Sequence, residues 1–197
     1  MYDVLMNIFK RRAMTYAEFW TWFAQHADEY SQLENDQDRL IGLLAKQFDK
    51  TDKYLCFLIG PLGEGAREFF VSCDGVRTYA DRVREMVAAA PSIPGWKITA
   101  FKPPISTDSF TYDGHNMLVE DVYFTSERDN EHLDIVIYIP DYDDAAKERY
   151  AGLGFLILDS VVGEEATMNK IRYIEFAMLD EGSKAKLQPI RKLAEKI

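Results

Sequence analysis

The feature that most constrains this fold is a sequence of predicted secondary-structure elements that occurs twice along the chain. In each case two strand-like segments are followed by an amphipathic helix and then by a third strand. The first unit spans 54–101 and the second 119–179. A helix in such a unit covers one face of its sheet. The order therefore predicts an α+β fold, mostly antiparallel, with helices packed on one face of the sheet.

Turn residues set the boundaries inside these two units. In the first, Asp74-Gly75 separates the hairpin from the helix. In the second, Asp143 or Asp144 is predicted to cap a helix that ends at Gly163. The patterns indicate where each helix begins and ends, and they leave open whether the two units are true repeats.

Two helices are predicted to precede the first unit, within residues 1–50. Thr15 and Glu18 have the spacing of a capping box, in which each side chain bonds the other's backbone amide. An apolar stripe at helical spacing follows them. Ser31 and Glu34 repeat the capping-box spacing and predict the start of the second helix.

The whole chain, 1–197, is predicted to form a single domain, because three strands and one helix bury little core on their own. Residues 102–117 are predicted to be an irregular connection between the two units. Residues 180–197 are predicted to be a C-terminal tail that ends in a short helix.

Charge is the most uneven property of the sequence. The chain has a net charge of −10, and the stretch from Asp108 to Glu165 alone holds 15 acidic and 3 basic residues. Such acidity argues against nucleic-acid binding, which needs clustered basic side chains. No apolar run approaches the roughly 20 residues that cross a bilayer. Two cysteines are too few for a disulfide framework. We therefore expect a cytoplasmic protein that neither spans a membrane nor binds nucleic acid.

The acidic stretch leads to the first functional hypothesis, a binding or inhibitory module with an acidic face for a basic protein partner. A toxin-neutralising immunity protein or a nuclease inhibitor is one concrete form of this hypothesis. The competing interpretation is that the charge only provides solubility. The partner-binding candidates are Glu120, Asp121, Asp141, Asp143, Asp144, Asp159, Glu164 and Glu165.

A metal-assisted or acid–base enzyme is the first alternative. It would use the acidic loop 141–144 together with Asp159 or His115. The same loop is also explained by helix capping, and Glu164-Glu165 by a solvated turn. No histidine or cysteine pair has metal-ligand spacing. The sequence therefore assigns no catalytic residue, no metal ligand and no cofactor, and it favours a protein that is not an enzyme.

Self-association is the second alternative, as a structural protein. Trp20 and Trp22 flank the aromatic stripe of the first helix. Large apolar side chains that remain exposed mark interfaces, whereas buried ones belong to the core. The sequence does not determine the oligomeric state.

Several short segments of the sequence form a recognisable pattern. They are Trp22-Phe23, Ile59-Gly60-Pro61, Glu68-Phe69, 72–75, Ala89-Ala90-Pro91, 94–103, Leu158-Asp159 and Gly163-Glu164. Together they resemble a family of uncharacterised bacterial proteins that share a domain of unknown function. The resemblance covers about residues 15–180 and is most specific between Ala89 and Pro103. It implies a bacterial, intracellular setting and brings no catalytic residue, because the family has no established activity.

Overall fold

A computed structural model describes residues 13–63, 65–180 and 182–197. Residues 1–12 of the predicted N-terminal helical region lie outside the described residues. The fold is α+β, as predicted, with two helices before the first strand. The backbone divides into two compact units. Unit 1 extends to Asp74 and adds Thr78–Ala100, and unit 2 consists of Gly75–Arg77 and Phe101–Ile197. Whether the two units form the single domain predicted from the sequence depends on how they associate, so that statement stays a prediction.

In the described part of the chain, unit 1 has three α-helices and a three-stranded sheet. The strand order is β1-β2-β3, with β1 antiparallel to β2 and β3 parallel to β2. This is the predicted strand–strand–helix–strand arrangement. The elements are α1 (Tyr16–Ser31), α2 (Gln37–Thr51), β1 (Cys56–Leu62), β2 (Arg67–Ser72), α3 (Ala80–Ala88) and β3 (Trp96–Ala100).

The capping prediction is confirmed at the first helix and wrong at the second. The Thr15 hydroxyl accepts a hydrogen bond from the Glu18 amide at 3.2 Å, and the Glu18 carboxylate accepts from the Thr15 amide at 2.8 Å. Ser31 instead donates back to the Asp28 carbonyl at 2.7 Å. The helix α1 therefore continues through Ser31, and α2 begins only at Gln37.

An aromatic cluster forms the core of unit 1. Phe69 on β2 lies within 5.2 Å of the Trp20 ring and 5.0 Å of the Phe23 ring, measured between centroids. The Trp20 indole donates to the Met86 carbonyl at 2.7 Å, which satisfies its buried N–H. Trp20 is fully buried and Trp22 is half-buried. The aromatic stripe of α1 is therefore largely core, and it offers no broad exposed patch for self-association.

Unit 2 has two α-helices and six strands in the described part of the chain. Its elements are β4 (Ser109–Tyr112), β5 (His115–Leu118), β6 (Tyr123–Asp129), β7 (His132–Ile139), α4 (Lys147–Val162), α5 (Glu164–Lys170), β8 (Ile171–Met178) and β9 (Gln188–Pro189). A 3₁₀ helix, Ile190–Glu195, stands where the short C-terminal helix was predicted.

The larger sheet of unit 2 repeats the topology of unit 1. Its order is β8-β7-β6-β9, with β6 antiparallel to β7 and β8 parallel to β7. The inward face of β7 packs against α4 in one apolar core, whose fully buried members include Ile137, Ile139, Leu153 and Ile157. The predicted second unit is therefore present, with its helix on one face of the sheet.

Two predictions for unit 2 were wrong. The segment 102–117 is not an irregular connection, because it contains β4 and most of β5, joined by a turn at Asp113 and Gly114 with φ of +48° and +74°. The chain after Gly163 is not a solvated turn. Gly163 ends α4, as predicted, with φ of +85°, and α5 begins at the next residue.

Candidate functional site

Two acidic segments meet at one end of the β6–β7 pair. Tyr123 at the start of β6 pairs with Tyr138 near the end of β7. The 3₁₀ turn Val119–Asp121 before β6 and the loop 141–144 after β7 therefore lie at the same end of the sheet. The structure thus brings together five of the eight predicted carboxylates. We name this group the acidic end: Glu120, Asp121, Asp141, Asp143 and Asp144.

The loop that carries three of these carboxylates is held by its own hydrogen bonds. Asp143 caps the start of the helical segment by accepting from the Ala145 amide at 2.9 Å, which confirms the capping prediction. The Tyr150 hydroxyl donates to the Asp141 carbonyl at 2.5 Å. Asp141 has φ of +55°, a region that Asp and Asn adopt more readily than most residues. A loop fixed in this way loses little entropy when a partner binds.

Tyr142 connects the acidic end to the core of unit 2. It packs against the core cluster, and its ring lies 5.3 Å from the Tyr150 ring. Desolvation, and then the hydrogen bond and negative charge of Asp144, raise the pKa of Tyr142. The phenol therefore stays protonated at neutral pH and can donate to Asp144, which orients that carboxylate.

The charge of the acidic end is exposed, with two lysines beside it. Glu120, Asp141, Asp143 and Asp144 are exposed, and Asp121 is half-buried. Lys147 is exposed in the first turn of α4, and the Lys184 ammonium lies 5.1 Å from the centre of the Tyr123 ring. Five carboxylates against two ammonium groups leave a negative local potential.

A shallow groove of about 460 Å³ adjoins the acidic end. It is lined by Asp113, Asp144 and residues 145–149. Arg149 crosses it, donating from Nε to Asp113 at 2.9 Å and from Nη1 to His115 Nε2 at 3.3 Å. Because a guanidinium only donates, Nε2 of His115 is the acceptor in this contact. The basic lone pair of His115 is thus already engaged, which disfavours its use as a general base.

Sequence reasoning missed Asp113 and Arg149 at this groove. The available signal was the dipeptide Asp113-Gly114, which is typical of a two-residue hairpin turn. That turn brings Asp113 against α4, where it pairs with Arg149.

The other three predicted carboxylates lie at the opposite end of α4. Asp144 and Asp159 are separated by 15 positions of helical chain, which is about 20 Å at roughly 1.5 Å per residue. The eight residues therefore do not form a single face. The same separation disfavours an enzyme site that combines the loop 141–144 with Asp159.

Glu164 is the clearest departure from expectation. It was predicted to lie in a solvated turn and to contact a partner, yet its side chain is fully buried. Its two carboxylate oxygens accept from the backbone amides of Gly75 at 3.1 Å and Lys102 at 3.0 Å. These bonds explain the burial and give Glu164 a structural role. The next residue, Glu165, is exposed.

Asp159 is also largely removed from solvent. Its side chain is 14% exposed and lies 3.4 Å from the Lys102 ammonium. Burial raises the pKa of Asp159, an effect that Lys102 opposes and the charge of Glu164 adds to. Asp159 and Glu164 therefore belong to a buried polar cluster inside unit 2 and contribute little to a binding surface.

Part of the acidic stretch is neutralised by residues that follow it in sequence. Arg172 donates from Nε to Asp134 at 2.9 Å and also pairs with Asp129. Its guanidinium holds the pKa of Asp134 below the usual range. Arg191 lies 3.7 Å from Asp108. The sequence count thus overstates the acidity of the surface, which concentrates at the acidic end.

Among residues 13–63, 65–180 and 182–197, no group of three or more His, Cys, Asp or Glu side chains is placed to hold a metal ion. Within the same ranges, none of the helices is both long enough and apolar enough to cross a membrane.

Comparison with known proteins gives no further guide to function. No protein-family model matches the chain, and no curated protein matches it significantly. The resemblance to an uncharacterised bacterial family therefore stays a prediction.

Proposed function

We propose that this protein is a binding module whose acidic end docks a basic segment of a partner protein. The observation that carries the proposal is the convergence of five carboxylates, from two separate segments, at one end of the unit 2 sheet. A nuclease or toxin with a basic active surface would be a suitable partner, and the module would then act as its inhibitor. The cytoplasmic setting expected from the sequence, and the bacterial one implied by the family resemblance, are part of the same proposal.

Electrostatics and rigidity support this function together. The backbone of the loop that carries three of the carboxylates is held by Asp143 and Tyr150 before any partner arrives. Clustered charge of one sign raises the rate of association with an oppositely charged protein. Nucleic acid would be repelled by the same surface, because its phosphates carry the same charge.

The direct test is a pull-down from the native host with two charge-matched variants, each run at low and at moderate salt. The first variant neutralises four carboxylates of the acidic end through Glu120→Gln, Asp121→Asn, Asp141→Asn and Asp144→Asn. Asp143 is kept because it caps the helical segment. Asn is used at position 141 because it also tolerates positive φ.

The control variant neutralises four exposed carboxylates of unit 1 and changes the net charge by the same amount. Its substitutions are Asp28→Asn, Asp38→Asn, Asp49→Asn and Glu85→Gln. We expect the wild type and the control to retain the same basic protein, and the acidic-end variant to lose it. The proposal fails if no basic protein is retained at either salt, or if the acidic-end variant retains it equally well.

A further inference from the structure

The strand β8 forms an edge of the larger sheet in unit 2. It pairs with β7 from Ile171 to Met178, apart from a bulge at Arg172, and no other described strand pairs with it. An eight-residue edge presents a row of backbone donors and acceptors that another strand can use.

An apolar patch lies along this edge, on the face of the sheet that packs against α4. Ile174, Phe176 and Met178 share that face with the buried residues of β7. The Phe155 ring on α4 lies edge-on to the Phe176 ring, with 5.7 Å between centroids. Phe155 is 46% exposed and Met178 is 61% exposed. Large apolar side chains that remain exposed beside an open strand edge mark an interface.

The charges of β8 do not suit the basic partner proposed above. Arg172 is already paired with Asp134 and Asp129. Glu175 is then the only acidic side chain of the strand, and it points to the opposite face from Phe176. The edge is therefore nearly neutral and apolar, which fits a second apolar edge of the same kind.

We propose that two copies of this chain associate through β8, antiparallel, with Phe176 at the two-fold axis. A two-fold axis perpendicular to the sheet places equivalent side chains of the two copies on the same face of the combined sheet. Centring the pair on Phe176 places Ile174 opposite Met178 of the second copy, and Glu175 opposite its Ala177. Centring it on Glu175 would place two carboxylates opposite each other, which is destabilising. The bulge at Arg172 lies outside the five residues that pair.

The first test measures the dissociation constant of the dimer by sedimentation equilibrium. We expect the wild type to form a dimer, and Met178→Lys and Phe155→Lys each to weaken it by about tenfold or more, because a charge would enter an apolar interface. Leu62→Lys is the control, since Leu62 is 62% exposed on the edge strand β1 of unit 1 and should leave the constant unchanged. Thermal melts confirm that each variant folds.

The second test checks the register through one position. Ala177→Glu places two carboxylates opposite each other across the pair and should weaken the dimer. Ala177→Lys places an ammonium opposite Glu175 of the second copy and should preserve or tighten it. A chain that is monomeric at its highest soluble concentration, or a dimer that responds to none of these changes, would overturn the proposal. Neither result bears on the acidic end, because the dimer does not depend on it.

Discussion

At the scale of single residues, Asp52 shows how one buried carboxylate can join three segments of unit 1. It follows α2 and accepts from the Tyr16 hydroxyl at 2.9 Å, from Arg82 at 3.2 Å and from the Tyr54 amide at 3.0 Å. Its side chain is only 8% exposed. Burial, and then the hydrogen bond to Asp52, raise the pKa of Tyr16 to about 12.

Asp52→Ala should lower the free energy of unfolding by about 1–2 kcal/mol, because it removes the acceptor of three hydrogen bonds, one of them from the part-buried Tyr16 hydroxyl. Asp49→Ala changes an exposed acidic residue in the last turn of α2 and should stay within about 0.5 kcal/mol of wild type. Urea unfolding measures both. Equal effects of the two substitutions would show that the Asp52 contacts do not stabilise unit 1.

Asp159 should make stability depend on pH in the direction opposite to most carboxylates. Its pKa is raised in the folded state, mainly by burial. The folded protein therefore binds this proton more tightly than the unfolded chain does. Protonated Asp159 makes its full contribution to stability below the unfolded pKa of about 4. This contribution is lost as pH rises from there through the folded pKa of Asp159.

Asp159→Asn should remove this loss. Relative to wild type, the variant should become progressively more stable as pH rises from about 4 through the folded pKa of Asp159. At about pH 3 the aspartic acid of the wild type and the asparagine of the variant are both neutral, so the two proteins should differ least in stability there. Denaturant unfolding across this range provides the measurement, and a variant that becomes relatively less stable with rising pH would contradict the account.

At the scale of elements, two helical glycines differ in what surrounds them. A Cβ at Gly154 of α4 would overlap the Phe176 ring of β8, whereas a Cβ at Gly42 of α2 would meet no atom within 4 Å. The first glycine is required by the close approach of helix and strand. The second only weakens its helix.

Gly154→Ala should therefore destabilise the protein by about 1–3 kcal/mol through overpacking, although alanine favours helix. Gly42→Ala should stabilise it by about 0.5–1 kcal/mol. Thermal unfolding of the two variants compares them directly. Stabilisation by both substitutions would mean that α4 and β8 do not pack as closely as described.

Elements with strong periodicity could be predicted from the sequence, and those defined by single turns could not. Ile171–Met178 was predicted as a strand with its observed bounds, because half of its residues are β-branched or aromatic. The β4–β5 hairpin was missed because its strands have only four residues each. The short helix α5 was missed because its acidic start was interpreted as a solvated turn.

At the scale of the whole molecule, the sequence predicted where acidic residues concentrate but not which of them share a surface. That required the pairing of Tyr123 with Tyr138, which brings the segments around Glu120 and Asp141 to one end of the sheet. It also required the burial of Glu164, which depends on backbone amides distant in sequence. Local patterns carry no information about such contacts.

The most direct test of the acidic end is the association rate of the captured basic protein, measured against ionic strength. The Debye length falls from about 30 Å at 0.01 M to about 3 Å at 1 M salt, so steering by exposed carboxylates is lost over this range. We predict a wild-type rate that falls by roughly tenfold or more across it, and a much shallower dependence for the four-fold acidic-end variant. Equal salt dependence of the two proteins, or the absence of any captured basic protein, would contradict the account.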